Sequence, residues 1–167
     1  MYKIAVITVS DKGSRGERKD ESGPAICEMI GGLGEVVSSH VVPDEPEILQ
    51  ELMISLSDME KVDLILTTGG TGLSPRDSTP EATLAVIERE VPGLAEAMRM
   101  ESLKKTNRAM LTRAVAGVRR STLIINLPGS VKAVRECLGV IMPVLPHGLE
   151  ILSGRASDCG ENNSEQN

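Results

Sequence analysis

The sequence predicts an α/β fold with a mainly parallel sheet and helices on both faces. Three observations predict it. Tyr2–Ser10, Val62–Thr67 and Thr122–Leu127 are short, continuous apolar runs rich in β-branched residues, the pattern of strands buried on both faces. Segments of helical apolar spacing separate them, which is the alternation that builds βαβ units. Each run ends in a polar or glycine-rich loop, and in such sheets ligands gather at the carboxyl ends of the strands.

The elements follow in order. Tyr2–Ser10 is the first strand, and a polar loop runs from it to Glu21. Ser22 is expected to cap a helix that has Pro24 in its first turn and closes at Gly31-Gly32. Glu35–Val42 reads as the second strand, with Pro43-Asp44-Glu45 as its exit. Ile48, Leu49, Leu52, Met53 and Leu56 mark one face of the next helix. Val62–Thr67 is the third strand and runs into Thr68-Gly69-Gly70-Thr71-Gly72. Thr79 is expected to cap a helix with Pro80 at its first position, Glu81 in its first turn, and Leu84, Ile87 and Val91 as its apolar stripe. Pro92-Gly93 breaks the chain before a helix over Leu94–Lys105. Thr122–Leu127 is a further strand, and after Pro128-Gly129 the side chain of Ser130 caps a long helix with Val131, Val134, Leu138 and Ile141 inward. Residues 1–153 are read as one domain and the polar stretch 154–167 as a disordered tail.

Composition excludes several classes. The chain has 167 residues and a net charge of −6, with Tyr2 its only aromatic. It is therefore a poor fit to a nucleic-acid backbone or to stacked bases. Cys27, Cys137 and Cys159 are odd in number, far apart and without a C-x-x-C, so neither a disulfide framework nor a zinc site is expected. His40 and His147 form no metal-ligand pair. The sequence begins directly in a strand, and no apolar run approaches the roughly 18 residues of a membrane span. A cytoplasmic location is the expectation.

Candidate chemistry concentrates in the loops. Gly69, Gly70 and Gly72 permit positive φ and a close backbone approach to ligand oxygens, and Thr68 and Thr71 add hydroxyls. The loop fits neither G-x-G-x-x-G, which fails at Pro75, nor the P-loop pattern. Asp77 lies between this loop and the Thr79 helix, and Asp44 at the exit of the second strand. Two carboxylates at neighbouring strand ends suit a Mg²⁺ that neutralises a triphosphate. Asn126-Leu127-Pro128-Gly129-Ser130 supplies a helix N-terminus, which favours anions. Lys12, Arg15, Arg18 and Lys19 place local positive charge after Ser10-Asp11.

Thr67–Gly72 followed by Arg76-Asp77-x-Thr79-Pro80-Glu81-Ala82 resembles the signature of molybdopterin adenylyltransferases and molybdopterin-binding domains. Asn126-Leu127-Pro128-Gly129 resembles their second signature, and Val9-Ser10-Asp11 with Asp20-x-Ser22-Gly23 their first loop. The similarity spans about Lys3 to Leu145. It implies a three-layer α/β/α sandwich, commonly a homotrimer. It implies that the terminal phosphate of molybdopterin attacks the α-phosphorus of MgATP, giving adenylyl-molybdopterin and pyrophosphate, and that the product passes to a molybdate-insertion protein. Asp44 and Asp77 match the family's catalytic, Mg²⁺-associated aspartates. Ser10, Asp11, Gly69, Gly70, Thr71, Gly72, Asn126, Pro128, Gly129 and Ser130 would form the substrate and nucleotide pocket. The alternative is a molybdopterin-binding homologue that transfers no adenylyl group.

Overall fold

The computed structural model describes residues 1–154. Its strands are β1 (Tyr2–Val9), β2 (Gly34–Val42), β3 (Leu64–Thr68), β4 (Arg89–Glu90), β5 (Ala116–Arg119) and β6 (Thr122–Leu127). Its helices are α1 (Asp11–Ser14), α2 (Ser22–Ile30), α3 (Pro46–Asp58), α4 (Thr79–Val86), α5 (Pro92–Leu103), α6 (Val131–Ile141) and α7 (Leu145–Leu152), with a 3₁₀ turn at Asn107–Leu111. The strands form one sheet in the order β2-β1-β3-β6-β5-β4. β2, β1, β3 and β6 are parallel neighbours, while β5 pairs antiparallel with β6 and β4 antiparallel with β5. The fold is thus the expected α/β sandwich, with a mixed sheet whose parallel part carries the core.

The continuous apolar runs are sorted by the two-residue period of the strand. Ile4, Val6, Leu64, Leu66, Leu123, Ile125 and Leu127 pack with α2, α5, α6 and α7 on one face. Ala5, Ile7, Val9, Ile65 and Ile124 pack with α3 and α4 on the other. Both faces are aliphatic, as a chain with one aromatic requires.

Several elements differ from the sequence reading. β4 and β5 have no counterpart in it: β4 is two exposed charged residues, and β5 is four residues with a glycine. α4 ends at Val86, so Ile87 and Val91 lie outside it, and Leu84 points outward at 44% exposure. The buried side of α4 is Thr79, Pro80, Ala82, Thr83 and Val86 instead. The helix expected from Leu94 after the Pro92-Gly93 break begins at Pro92 itself, which occupies the first turn of α5, where its missing N–H costs nothing. The C-terminal helical region divides into α6 and α7, and the tail assigned to 154–167 lies outside the described residues beyond Gly154. Among the described residues, no helix is long and apolar enough to cross a membrane.

This burial pattern predicts a contrast in denaturant unfolding. Leu66→Ala, at a fully buried β3 position, should cost about 2–5 kcal/mol. Leu84→Ala should stay within about 0.5 kcal/mol of the parent. A large loss at Leu84 would restore the helix stripe that the sequence suggests.

Candidate functional site

Hydrogen-bonded register sets the height at which each loop leaves the sheet. Thr8 is level with Thr68, Thr68 with Leu127, and Val9 with Val42. The chain passes from β1 outward to β2 and then back across β1 to β3, so the winding reverses between β1 and β3. That reversal opens a crevice at the carboxyl edge, the ligand position of open α/β sheets.

The glycine loop lies in this crevice. Gly69 and Gly70 have φ of +95° and +66°, conformations that side chains rarely adopt. A Cβ on Gly69 would strike the Val9 carbonyl oxygen, and one on Gly129 would lie 3.4 Å from Gly69 Cα. Three main chains therefore meet here. Gly69 N–H donates to Leu127 O at 3.2 Å, and Thr68 Oγ1 donates to Pro128 O at 2.7 Å, which lace the β3 and β6 exits together.

Thr79 does not cap α4. It is the first helical residue; its Oγ1 donates to Gly69 O at 2.9 Å and its N–H to Gly70 O at 3.1 Å, so its polar groups fasten the loop.

Asp11 and Asp44 bind one another's backbone. Asp11 N–H donates to Asp44 Oδ2 at 2.9 Å, and Asp44 N–H donates to Asp11 Oδ1 at 3.0 Å. Arg76 closes this clasp from the glycine-loop side. Its Nε and Nη2 donate to the Asp11 carboxylate at 3.0 and 2.9 Å, and Nη2 also donates to Glu45 at 2.8 Å. The Arg76 guanidinium and then the Asp44 N–H hold the Asp11 carboxyl below its ordinary value. Asp44 moves the other way, because burial raises it and the neighbouring Asp11 and Asp77 carboxylates add to the rise, against the Asp11 N–H.

Asp77 Oδ2 accepts from Ser74 N–H at 3.2 Å. A Cβ on Gly70 would lie 3.2 Å from Asp44 Oδ1, and one on Gly72 would lie 2.8 Å from Asp77 Oδ2. Both carboxylates thus stand against the glycine loop where it has no side chains. Among the described residues, no group of three or more His, Cys, Asp or Glu is placed to hold a metal ion. A cation here would need ligands brought by a substrate, which is how Mg²⁺ commonly binds with phosphates.

A cleft of about 500 Å³ opens on the other side of Gly69, lined among others by Ser10, Arg18, Lys19, Asp20, Glu21 and Ser130. Neither Asp44 nor Asp77 lines it, so the cleft, where Arg18 and Lys19 stand with Asp20 and Glu21, is distinct from the face that carries those two carboxylates. Ser130 Oγ accepts from Ala133 N–H at 3.3 Å and caps α6 where the helix lines the cleft.

The expected Ser22 cap of α2 is replaced by Asp20. Its Oδ1 accepts from Ser22 N–H, Ser22 Oγ–H and Gly23 N–H at 3.1–3.2 Å, and its Oδ2 accepts from Thr8 Oγ1 at 2.7 Å. A carboxylate takes several donors where a serine hydroxyl takes fewer.

Ser10, Asp11, Asp44, Gly69–Gly72, Asp77, Pro128, Gly129 and Ser130 are brought to one edge. Asn126 sits beneath them and is fully buried. Its Nδ2 donates to Thr67 Oγ1 at 3.0 Å and to Thr83 Oγ1 at 2.9 Å, and its Oδ1 accepts from Val115 N–H at 3.2 Å. Its side chain serves the sheet under the loop, not the open cleft. Arg113, to which the sequence assigns no role, wraps the glycine loop. It donates to Gly72 O and Asp77 O, each at 2.8 Å. An arginine flanked by Thr112 and Ala114 carries no pattern that announces this.

Residues 5–147 match the family model of a probable molybdopterin binding domain. The chain is 41% identical over 163 residues to a molybdopterin adenylyltransferase of Helicobacter pylori strain J99, covering 96% of this chain and 93% of that one. It is 42% identical over 156 residues to the molybdenum cofactor synthesis protein cinnamon of Drosophila melanogaster, covering 92% of this chain but only 26% of the longer relative. The crystal structure of the molybdopterin biosynthesis enzyme MoaB of Thermus thermophilus superposes with a TM-score of 0.88 at 54% identity, covering 92% of this chain and 98% of that one.

The crowded carboxylates predict a pH signature in the ligand-free protein. The folded Asp44 binds its proton above the ordinary value of 3.8, so stability falls as pH rises through the window from 3.8 to the higher folded value. Asp44→Asn keeps an acceptor for Asp11 N–H and removes that charge. Its melting temperature should equal or exceed the parent's near neutral pH, and the gain should vanish as pH drops below about 4. A variant less stable at neutral pH would mean that the ionised carboxylate is held by more than this clasp.

Proposed function

The chain belongs to the molybdopterin-binding domain family of molybdenum cofactor biosynthesis proteins, and on that premise we propose that it is a molybdopterin adenylyltransferase. In the reaction, an oxygen of molybdopterin's terminal phosphate bonds to the α-phosphorus of ATP. The bond from that phosphorus to the bridging oxygen breaks, and pyrophosphate leaves with the electron pair.

The observation that carries this reading is the division made by the glycine loop. Its carboxylate face suits a metal–nucleotide, and its cleft, where Arg18 and Lys19 stand with Asp20 and Glu21 and the α6 N-terminus opens at Ser130, suits a phosphorylated pterin that carries both an anion and hydrogen-bond donors. Phosphoryl-group transfer needs alignment and charge neutralisation more than a protein nucleophile. Asp44 and Asp77 would hold Mg²⁺ together with nucleotide oxygens and water. When bound, the ion offsets charge on the triphosphate and the leaving pyrophosphate.

The chain's own contribution is positional. Backbone N–H groups of the loop meet phosphate oxygens, Arg76 keeps Asp11 and Glu45 paired beside Asp44, and Ser10 meets a polar pterin edge in a cleft whose lining holds no aromatic to stack. Assembly as a homotrimer and transfer of the product to a molybdate-insertion protein belong to the same proposal.

The second reading is a molybdopterin-binding homologue that transfers no adenylyl group. The higher identity to MoaB, named for molybdopterin biosynthesis without reference to adenylyl transfer, favours it over the 41% match to the adenylyltransferase.

The deciding assay incubates the protein with molybdopterin, MgATP and inorganic pyrophosphatase and follows adenylyl-molybdopterin. The parent should form product, while Asp44→Asn and Asp77→Asn should retain pterin binding and lose about 10²–10³-fold in turnover. Tight pterin binding with no ATP-dependent product would select the second reading. Absence of pterin binding would contradict both.

A further inference from the structure

Arg113 lies just beyond the 3₁₀ turn at Asn107–Leu111 and before β5, and it meets the glycine loop through both main chain and side chain. Its backbone N–H donates to Thr71 O at 2.9 Å, Nε to Gly72 O at 2.8 Å, and Nη2 to Asp77 O at 2.8 Å. Nη1 pairs with Glu81, in the first turn of α4. One residue therefore binds three carbonyls of the segment Thr71–Asp77 and anchors itself on the helix that follows.

We propose that Arg113 is a positioning residue for group transfer: it sets which way the peptide planes of the glycine loop face and so aims the loop's N–H groups at substrate phosphate. In a trans peptide the C=O and the following N–H point in opposite directions, and the described chain has no cis bonds. Turning the Thr71, Gly72 and Asp77 carbonyls toward Arg113 turns the N–H groups of Gly72, Leu73 and Ser78 away from it.

These three N–H groups have no hydrogen-bond partner among the described residues. Successive free N–H groups, such as those of Gly72 and Leu73, are the kind that build an anion-binding concavity. Gly72 would be free to rotate its peptide planes without the clamp. The planar fork of an arginine reaches several acceptors at fixed angles, and a lysine ammonium does not. The catalytic consequence rests on the adenylyltransferase reading, whereas the conformational one concerns the ligand-free loop.

The test separates the two. Amide hydrogen exchange of the ligand-free protein is compared for the parent, Arg113→Lys and Glu81→Gln, together with kcat and KM for MgATP and molybdopterin. Arg113→Ala is assayed with and without added guanidinium. The expected result for Arg113→Lys is faster exchange confined to residues 70–79, with β1, β3 and β6 unchanged and kcat down about 10–100-fold. KM for molybdopterin should be unaltered, and guanidinium, not methylammonium, should restore turnover in Arg113→Ala. Glu81→Gln, which leaves the guanidinium in place but unanchored, should give a smaller shift of the same kind. Unchanged exchange over 70–79 in Arg113→Lys would overturn the proposal, as would a loss of turnover that tracks exchange throughout the sheet. A parent that transfers no adenylyl group would overturn the functional reading alone, and the exchange data would still decide the role of Arg113.

Discussion

Three backbones converge at Gly69, and the rest of the site depends on that approach. A side chain at 69 would strike the Val9 carbonyl and drive β1 away from β3, and one at 129 would press against Gly69 Cα from the β6 exit. The parallel ladder fixes the height of each exit, and the glycine lets the exits touch. The φ values at Gly69 and Gly70 then turn the chain sharply enough for Thr79 to reach back and hold both carbonyls. From this junction the cleft opens to one side and the Asp44–Asp77 face to the other.

Two arginines keep the junction in shape by different means. Arg76 joins carboxylates from the β1 and β2 exits to the glycine-loop segment, while Arg113 joins carbonyls of that segment to α4. Both are at least partly exposed, and exposed ion pairs contribute little to stability, so their value lies in geometry. Beneath them, Asn126 is fully enclosed with its amide nitrogen and oxygen both engaged, which makes the floor of the loop rigid. Burial raises the Asp44 carboxyl, and the Asp11 and Asp77 charges beside it add to the rise. A face of that kind favours a bound cation.

The parallel strands are legible because Ile4–Ile7, Leu64–Thr67 and Leu123–Ile125 carry almost nothing but apolar residues, a pattern with few other readings. β4 and β5 are not, since Arg89-Glu90 and Ala116–Arg119 owe their pairing to the edge of β6 and not to their own composition. Spacing alone turns Leu84 inward, but α4 buries its threonines and proline against the glycine loop and the sheet, and turns Leu84 out. The glycine loop, Asp44 and Asp77 are visible as residue types near strand ends. Asp20 as a cap and Arg113 as a clamp are not, because each acts on groups that the topology, not the sequence neighbourhood, brings close. The motif around Asn126 suggests a pocket residue, and its place under the loop emerges only from the partners of its side chain.

The most direct test is a crystal structure with Mg²⁺, a non-hydrolysable ATP analogue and molybdopterin bound together. Nucleotide phosphates are expected on the amides of Gly70–Leu73, with the metal between Asp44 and Asp77. The pterin is expected in the cleft beside Ser10, Asp20 and Ser130, its phosphate directed across Gly69. Nucleotide or pterin seated away from the Gly69 junction would contradict the account, because it rests on the Asp44–Asp77 face and the cleft meeting at that one loop.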